Sequence, residues 1–428
     1  MIVQETKEMV PKGIAGRQLV KWNHLDSNRR YVTDDPTVSK FVSLLRATDV
    51  GDVGALCELN EEMQAKDSDY QGLVGTRKAA LNALDWTIVP DNTNSDLQDI
   101  ADEAAAYVLD VLSHLPTLEN TLVHLAEALF TNVSVSEIIW DLNDKKNPIK
   151  ATNDVPGHRL RTDPNEGPDI LIEVESNSIV NTIKTTPGKF IVHTPNPRAG
   201  FPLRVNITRA QAWIYLVKHY SQADWAAFSE VFGMPQKLAL CKEAVIDNVR
   251  DDIEQMFQNM AADGYGVFPD GVDFKFLEAN RGNQPYSQLL ERLDKRQQVL
   301  ILGQTLTTDT SGPGSFALGK VHDNVRTDIL ISDIKAERSM IRNQLIAPLV
   351  RLAFPNKKVP VPEFQRKIIE TKNLDSDRLE LEKLKYMDER GLPVDEAVIY
   401  ERLGFPKPKE RSVRSEESGG TPQLRITA

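Results

Sequence analysis

Between Ile301 and Val325 the chain reads ILGQTLTTDTSGPGSFALGKVHDNV. Gly, Thr and Ser crowd this stretch, with a helical pattern over 285–303 before it and another over about 323–353 after it. Of all segments this joint constrains the architecture most, because two helices must meet at a polar linker that has no apolar face to bury. It carries no obvious catalytic side chain. Gly supplies backbone freedom and Thr weak polar contacts, a combination that suits a mobile loop or a docking surface better than a reaction centre.

The helix after the joint repeats Val325, Ile329, Ile334, Ile341, Leu345, Leu349 and Leu352, an apolar stripe of helical period. Upstream, residues 1–40 read as polar and extended, with turn or helix-start signals at Asp35-Pro36 and at Thr37/Ser39. Helices are expected from Thr37 to about Arg46, across Val53–Asn82, over about Asp96–Leu115 and over about Leu118–Phe130. A strand is expected over Asp85–Pro90, and Ser134–Trp140 reads as a strand or helix end. Residues 141–205, rich in Asp, Asn, Pro and Gly, read as a small β-rich insertion with strands near Asp169–Val174, Ile179–Thr185 and Phe190–His193. A long helix from Thr208 to about Val231 follows, stopped by Gly233 and Pro235. Next come a helix over 246–262 and a hairpin of Tyr265–Phe268 with Val272–Leu277, turning at Pro269-Asp270-Gly271. Beyond Pro362 the chain is charged. Thin helices are expected over Leu374–Arg390 and Val394–Leu403, and a disordered tail from about Lys407.

Bulk properties exclude several classes. The chain has 428 residues, enough for two or three domains, and is 40% hydrophobic and 26% charged, as folded soluble proteins are. Its formal net charge of −11 argues against a protein that grips DNA through a broad basic face. An acidic wall can still let DNA slide past, since like charge lowers adhesion. Cys57 and Cys241 lie far apart in no paired motif, which excludes a disulfide scaffold and fits a reducing cytosol. The first residues hold no apolar core of signal-peptide length, and no apolar run reaches the roughly 18 residues of a membrane span. The expectation is a protein made in cytoplasm and used or assembled there into something larger.

Candidate chemistry is sparse. Gly314 to Lys320 fits the start of a phosphate-binding loop, G-x-x-x-x-G-K. Val321 stands where a hydroxyl should hold magnesium, however, and the approach is a polar loop instead of a buried strand. A mobile loop is therefore preferred to nucleotide binding. His24, His114, His124, His158, His193, His219 and His322 include no i, i+4 pair, so no metal or other cofactor is expected. Asp251, Asp252 and Glu254 read as a solvated helix stripe, and no nucleophile motif appears. Trp213, Val217, Tyr220, Trp225 and Phe228 recur at helical spacing. Aromatics can stack on nucleic-acid bases, but this spacing reads as packing, partly inside the subunit and partly against a neighbour.

Five blocks, in order across about residues 50–350, resemble the portal proteins of Mu-like phages and prophages. They are Asp69-Tyr70 through Thr76-Arg77-Lys78 to Leu84-Asp85-Trp86; Ser136 to Trp140; Lys218-His219-Tyr220 to Asp224–Phe228; Glu230 to Pro235; and Gly303 to Thr308 through Gly319-x-Val321-His322. The resemblance implies an α+β portal-type fold with an α/β wing, a helical stem, a small β-rich clip and a helical crown. On this map 1–115 is part of the wing, 116–140 the first stem helix, 141–205 the clip and 206–232 the second stem helix. Residues 233–322 hold wing and channel loop, 323–370 the crown, and 371–428 a charged tail, partly disordered.

The resemblance also implies a role. It is a non-enzymatic, cofactor-free homo-oligomer, commonly a ring of about twelve subunits, at one capsid vertex of a virion assembled in host cytoplasm. Double-stranded DNA passes through without sequence reading, driven in by the terminase large subunit and released toward neck or adaptor proteins. The major capsid protein is a further partner, and no membrane is involved. Channel-loop candidates are Gln304, Thr305, Thr307 and Thr308, with Lys320, Arg281 and Arg326 as candidate phosphate contacts. Trp213, Val217, Tyr220, Trp225 and Phe228 are candidates for stem and subunit packing. Two rival readings are another ring-forming phage adaptor and, less favoured, a nucleotide-binding enzyme built on the 303–320 loop.

Overall fold

The computed structural model describes most of residues 10–233, then 236–240, 273–277, 285–305 and 316–367, with isolated positions beyond these. The chain divides into a large unit, Met1–Lys367, and a small one, Ile368–Ala428. In the small unit Arg390 lies over the Tyr386 ring, 4.6 Å from its centroid. The expected helices over 374–390 and 394–403 and the tail fall almost wholly outside the described residues.

Side-chain caps set the helix starts of the large unit. Helix α1 (Val38–Asp49) is capped by Thr37, whose hydroxyl accepts from Lys40 N. Asp52 caps α2 (Val53–Lys66), and Asp67 caps α3 (Ser68–Asn82) by accepting from Asp69 N and Tyr70 N. The expected helical run 53–82 is thus two helices, because Asp67 leaves helical geometry to satisfy the next helix's orphan donors. Helices α1, α2 and α3 form a core with α6 (Ala128–Thr131), α7 (Ile207–Gly233) and α8 (Pro285–Leu302), centred on Phe41, Leu59, Met63, Tyr70, Phe130, Tyr215 and Ile301. At 1.5 Å per residue, the 27-residue α7 is about 40 Å long.

A second core joins α4 (Gln98–Ser113), α5 (Leu118–Leu125) and the strand β2 (Ser134–Trp140) to the end of the large unit. That end comprises α9 (Phe316–Ile341), a π-helical turn over Arg342–Ile346, and α10 (Ala347–Ala353). Strand β1 (Trp86–Val89) pairs antiparallel with the chain's last described strand (Glu363–Arg366), Trp86 opposite Arg366. Trp86 stacks on Phe364, and Arg366 pairs with the buried Glu337.

The β-rich stretch forms two three-stranded sheets. In one, β2 lies between β3 (Ile149–Val155) and β7 (Phe190–His193). In the other, β5 (Ile170–Ser176) lies between β4 (Leu160–Thr162) and β6 (Ile179–Lys184). The π turn aims Gln344 at the outer edge of β7, where its side-chain amide accepts from Val192 N and donates to Val192 O. One edge residue is thereby satisfied without another strand. Residues 10–26 cross the β2 sheet as a strap. Glu137 accepts from Leu19 N and Val20 N, while Lys189 Nζ donates to Ala15 O, Arg17 O and Ile138 O. Glu137 and Lys189 are themselves 3.1 Å apart and both fully buried. Farther along the strap, Arg159 pairs with Asp26.

Several sequence expectations change. Residues 116–140 are not one helix: α5 and α6 are short, Asn132 adopts the left-handed conformation (φ 64°), and β2 follows. The β-rich stretch 141–205 is real but not self-contained, because β3 and β7 flank β2 and help to build the second core. The long helix expected over about 323–353 is present and extends back to Phe316, and the chain after it pairs with β1 inside the large unit. The strand over 273–277, β9, pairs with β8 (Gln236–Leu240), while residues 265–268, its expected hairpin partner, lie outside the described residues, as does nearly all of the expected helix 246–262. Alternation identifies a strand but not its partner.

Candidate functional site

The two helices that bound the Gly/Thr-rich joint are held by one arginine. Arg77 on α3 donates through Nε and Nη2 to the two carboxylate oxygens of Asp333 on α9, each at 2.9 Å. Its Nη1 donates to Ile301 O, at the end of α8, at 3.0 Å. Both side chains are largely buried, 14% and 7% exposed. A guanidinium suits this place because its planar fork can meet a carboxylate with two donors and still offer a third to a helix-end carbonyl.

Gly303 then turns the chain out of α8 at φ 72°, its N–H still bonded to Val299 O. A Cβ here would stand 2.7 Å from Ile329 Cδ1 and 2.9 Å from Val325 Cγ1. Both the conformation and the space therefore demand glycine. Gln304 is buried and Thr305 half-buried, so the joint starts out packed onto the protein. Arg326 is exposed on α9. Lys320 lies in the first turns of α9, while Thr307, Thr308 and Arg281 lie outside the described residues. Residues 316–320 are already helical, whereas a phosphate cradle needs that part of its motif as loop following a strand. The near-match to a P-loop is therefore not built as one.

Helix α7 has two contrasting faces. Ala212, Tyr215 and Leu216 are buried in the helical core, whereas Trp213, Val217, Tyr220 and Phe228 are 42%, 41%, 42% and 36% exposed. These four recur on one side of the helix, and Trp225 is half-buried. Tyr220 donates its hydroxyl to Pro36 O, and the Phe228 ring sits 6.1 Å from that of Tyr286 on α8. The stripe thus makes contacts within the subunit while leaving much apolar area open. Beyond Ser221, α7 is exposed on most sides as far as Glu230.

On the inner face Lys218, 5% exposed, reaches Asp69 and Asp294 at 2.9 Å, Asp67 at 3.3 Å and Gln297 at 3.1 Å. Burial alone would lower the ammonium's pKa, but its hydrogen bonds to Asp294 and Asp69 and the charge of Asp67 outweigh it and hold the pKa above the ordinary value. This network fastens α7 to α8 and to the start of α3. Sequence reasoning missed Arg77, Asp333 and Lys218 as organisers. The available signal was charge inside otherwise apolar helical faces, which rarely goes unpaired when buried.

A family model described as the portal protein of Mu bacteriophage matches residues 57–405. Mu-like prophage FluMu protein gp29 of Haemophilus influenzae is 26% identical over 361 residues, covering 79% of this chain and 65% of that protein. The portal protein of Escherichia phage Mu is 27% identical over 321 residues, covering 74% of this chain and 61% of that protein. The chain thus spans less than two thirds of the length of either relative. Among solved structures, the neck of an empty gene transfer agent particle matches with a TM-score of 0.54 at 12% identity, over 89% of this chain and 96% of that one. At that identity the likeness concerns the fold alone, which is α+β and of portal type.

Proposed function

The chain belongs to the Mu bacteriophage portal family, and on that footing we propose that it is the structural portal protein of a tailed phage or prophage. It forms a ring of about twelve copies at one capsid vertex, through which double-stranded DNA enters during packaging and leaves toward the tail. The observation that carries this reading is the family match, which runs from α2 past the end of the large unit. The role is structural. DNA is held by weak polar contacts and not read, as the Gly/Thr-rich 303–320 segment and the net charge of −11 both favour.

In this reading the exposed side of α7, with Trp213, Val217, Tyr220 and Phe228, meets the neighbouring copy, and the β-rich region 141–205 faces the packaging motor and later the neck proteins. Residues 303–320 line the bore, with Thr305, Thr307, Thr308, Lys320 and Arg326 nearest the DNA, while the buried Gln304 anchors the start of the segment. Mass measurement and class averages of the purified protein test it. Closed rings near about 0.58 MDa, twelve times 48.0 kDa, with a hole of duplex width support the proposal. A protein that stays a monomer at high concentration overturns it.

A further inference from the structure

We propose that Arg77 is the positioning residue of the channel segment: by joining the end of α8 to α9, it fixes where the chain leaves Gly303. The inference rests on the reading of 303–320 as the part that faces DNA. Three observations support it. Arg77 satisfies a carbonyl of the last turn of α8 and both oxygens of Asp333 at once, so neither helix can move without breaking the same group's bonds. Its partners lie 224 and 256 residues away in sequence, so the contact is tertiary and owes nothing to local helix geometry. Finally, Gly303 is wedged against Val325 and Ile329, well inside α9, which starts at Phe316.

The wedge leaves the first nine residues of α9, about 14 Å at 1.5 Å per residue, running past the point of attachment. Asn324, Val325 and Arg326 are exposed where that stretch meets the wedge. A tilt of about 10° about the wedge would displace the far end by about 2.4 Å, enough to break a hydrogen bond to a phosphate. Arg77 therefore acts at a distance, through the angle of α9, and need not touch DNA itself.

A plain stabilising ion pair makes a different prediction. Lysine can keep the charge opposite Asp333 but cannot also serve Ile301 O with a rigid fork. Full-length wild-type, R77K and D333N proteins are compared for ring mass, for hydrogen exchange at Gly303 and Gln304, and for DNA retained per particle in phage particles assembled with each. The expected result for R77K is rings of normal mass, exchange at Gly303 and Gln304 faster by about tenfold, and DNA per particle reduced severalfold. Wild-type exchange, or faster exchange with wild-type DNA content, overturns the proposal. If R77K forms no rings, D333N carries the same test, and failure of both to assemble assigns the pair to stability alone and likewise overturns it. A parallel T307A/T308A/K320Q variant separates the premise from the inference. If it retains full DNA while R77K does not, the bore-lining reading fails, and with it the route assigned to Arg77.

Discussion

The strap over residues 10–26 hangs on the buried Glu137–Lys189 pair, and a double-mutant cycle there gives a demanding test. Lys189 Nζ serves Ala15 O, Arg17 O and Ile138 O as well as Glu137, and Glu137 serves Leu19 N and Val20 N. Both side chains are 0% exposed, and burial lowers the Lys189 ammonium's pKa against the pull of Glu137. Lys189→Met leaves a carboxylate buried without its cation and takes one donor from each of three carbonyls, of which Ala15 O keeps its bond from Trp140 N. Removing one partner of such a pair costs about 3–5 kcal/mol, so seating of the strap should weaken by roughly a thousandfold. Glu137→Gln should cost a comparable amount, because the ammonium then remains charged and buried. The double variant carries no buried charge, and its Gln can still accept from one strap amide. It should cost only about 1–2 kcal/mol, less than either single change. The assay is hydrogen exchange at Leu19 and Val20, alongside denaturant unfolding of the full chain. If the two single effects add to within about 0.5 kcal/mol, the pair does not anchor the strap and this reasoning is refuted.

Three further outcomes are expected. Gly303→Ala should destabilise the α8–α9 junction by about 1–2 kcal/mol for its left-handed backbone and about 1–3 kcal/mol more for crowding against Ile329 and Val325; a thermal melt unchanged from wild type would contradict this. Val217→Asp should abolish rings while shifting the isolated subunit's unfolding by less than about 1 kcal/mol, because Val217 is 41% exposed; sedimentation read with a denaturant titration checks both parts. His193 is buried, with Nδ1 bonded to Leu125 O, and burial holds its imidazole pKa below the ordinary 6.5. As pH falls below 6.5 the unfolded chain takes up the proton first, so stability should decline from there downward, and His193→Gln should flatten that part of a stability–pH curve.

Helices with a long apolar period were legible from sequence. The α7 boundaries and the helix 98–113 fall within two residues of expectation, since periodicity and Gly or Pro stops act locally. Strands β5, β6 and β7 were legible for the same reason. Strands β3 and β4 were not: IKATNDV and LRT have weak strand propensity and are held by β2 and β5. Strand pairing was invisible wherever the partner is remote, as for β8 with β9. The stripe on α7 was readable as a helical face, although sequence could not divide its contacts between subunit and neighbour. The clamp was hidden because Arg77 and Asp333 lie in unremarkable helical runs, and only the fold brings them to one carbonyl.

The pairing of Trp86 with Arg366 has a consequence for how the chain comes into being. At about 5–20 residues per second, the 280 residues between them take roughly 14–56 s to synthesise. Throughout that interval WTIV is an apolar strand with its partner not yet made and the ring of Trp86 lacking Phe364, the kind of edge that recruits other chains. The half-made subunit is thus exposed to aggregation for far longer than its individual helices take to form. Slower translation should lengthen the hazard, and a chaperone that shields residues 86–89 should raise the yield of finished subunits.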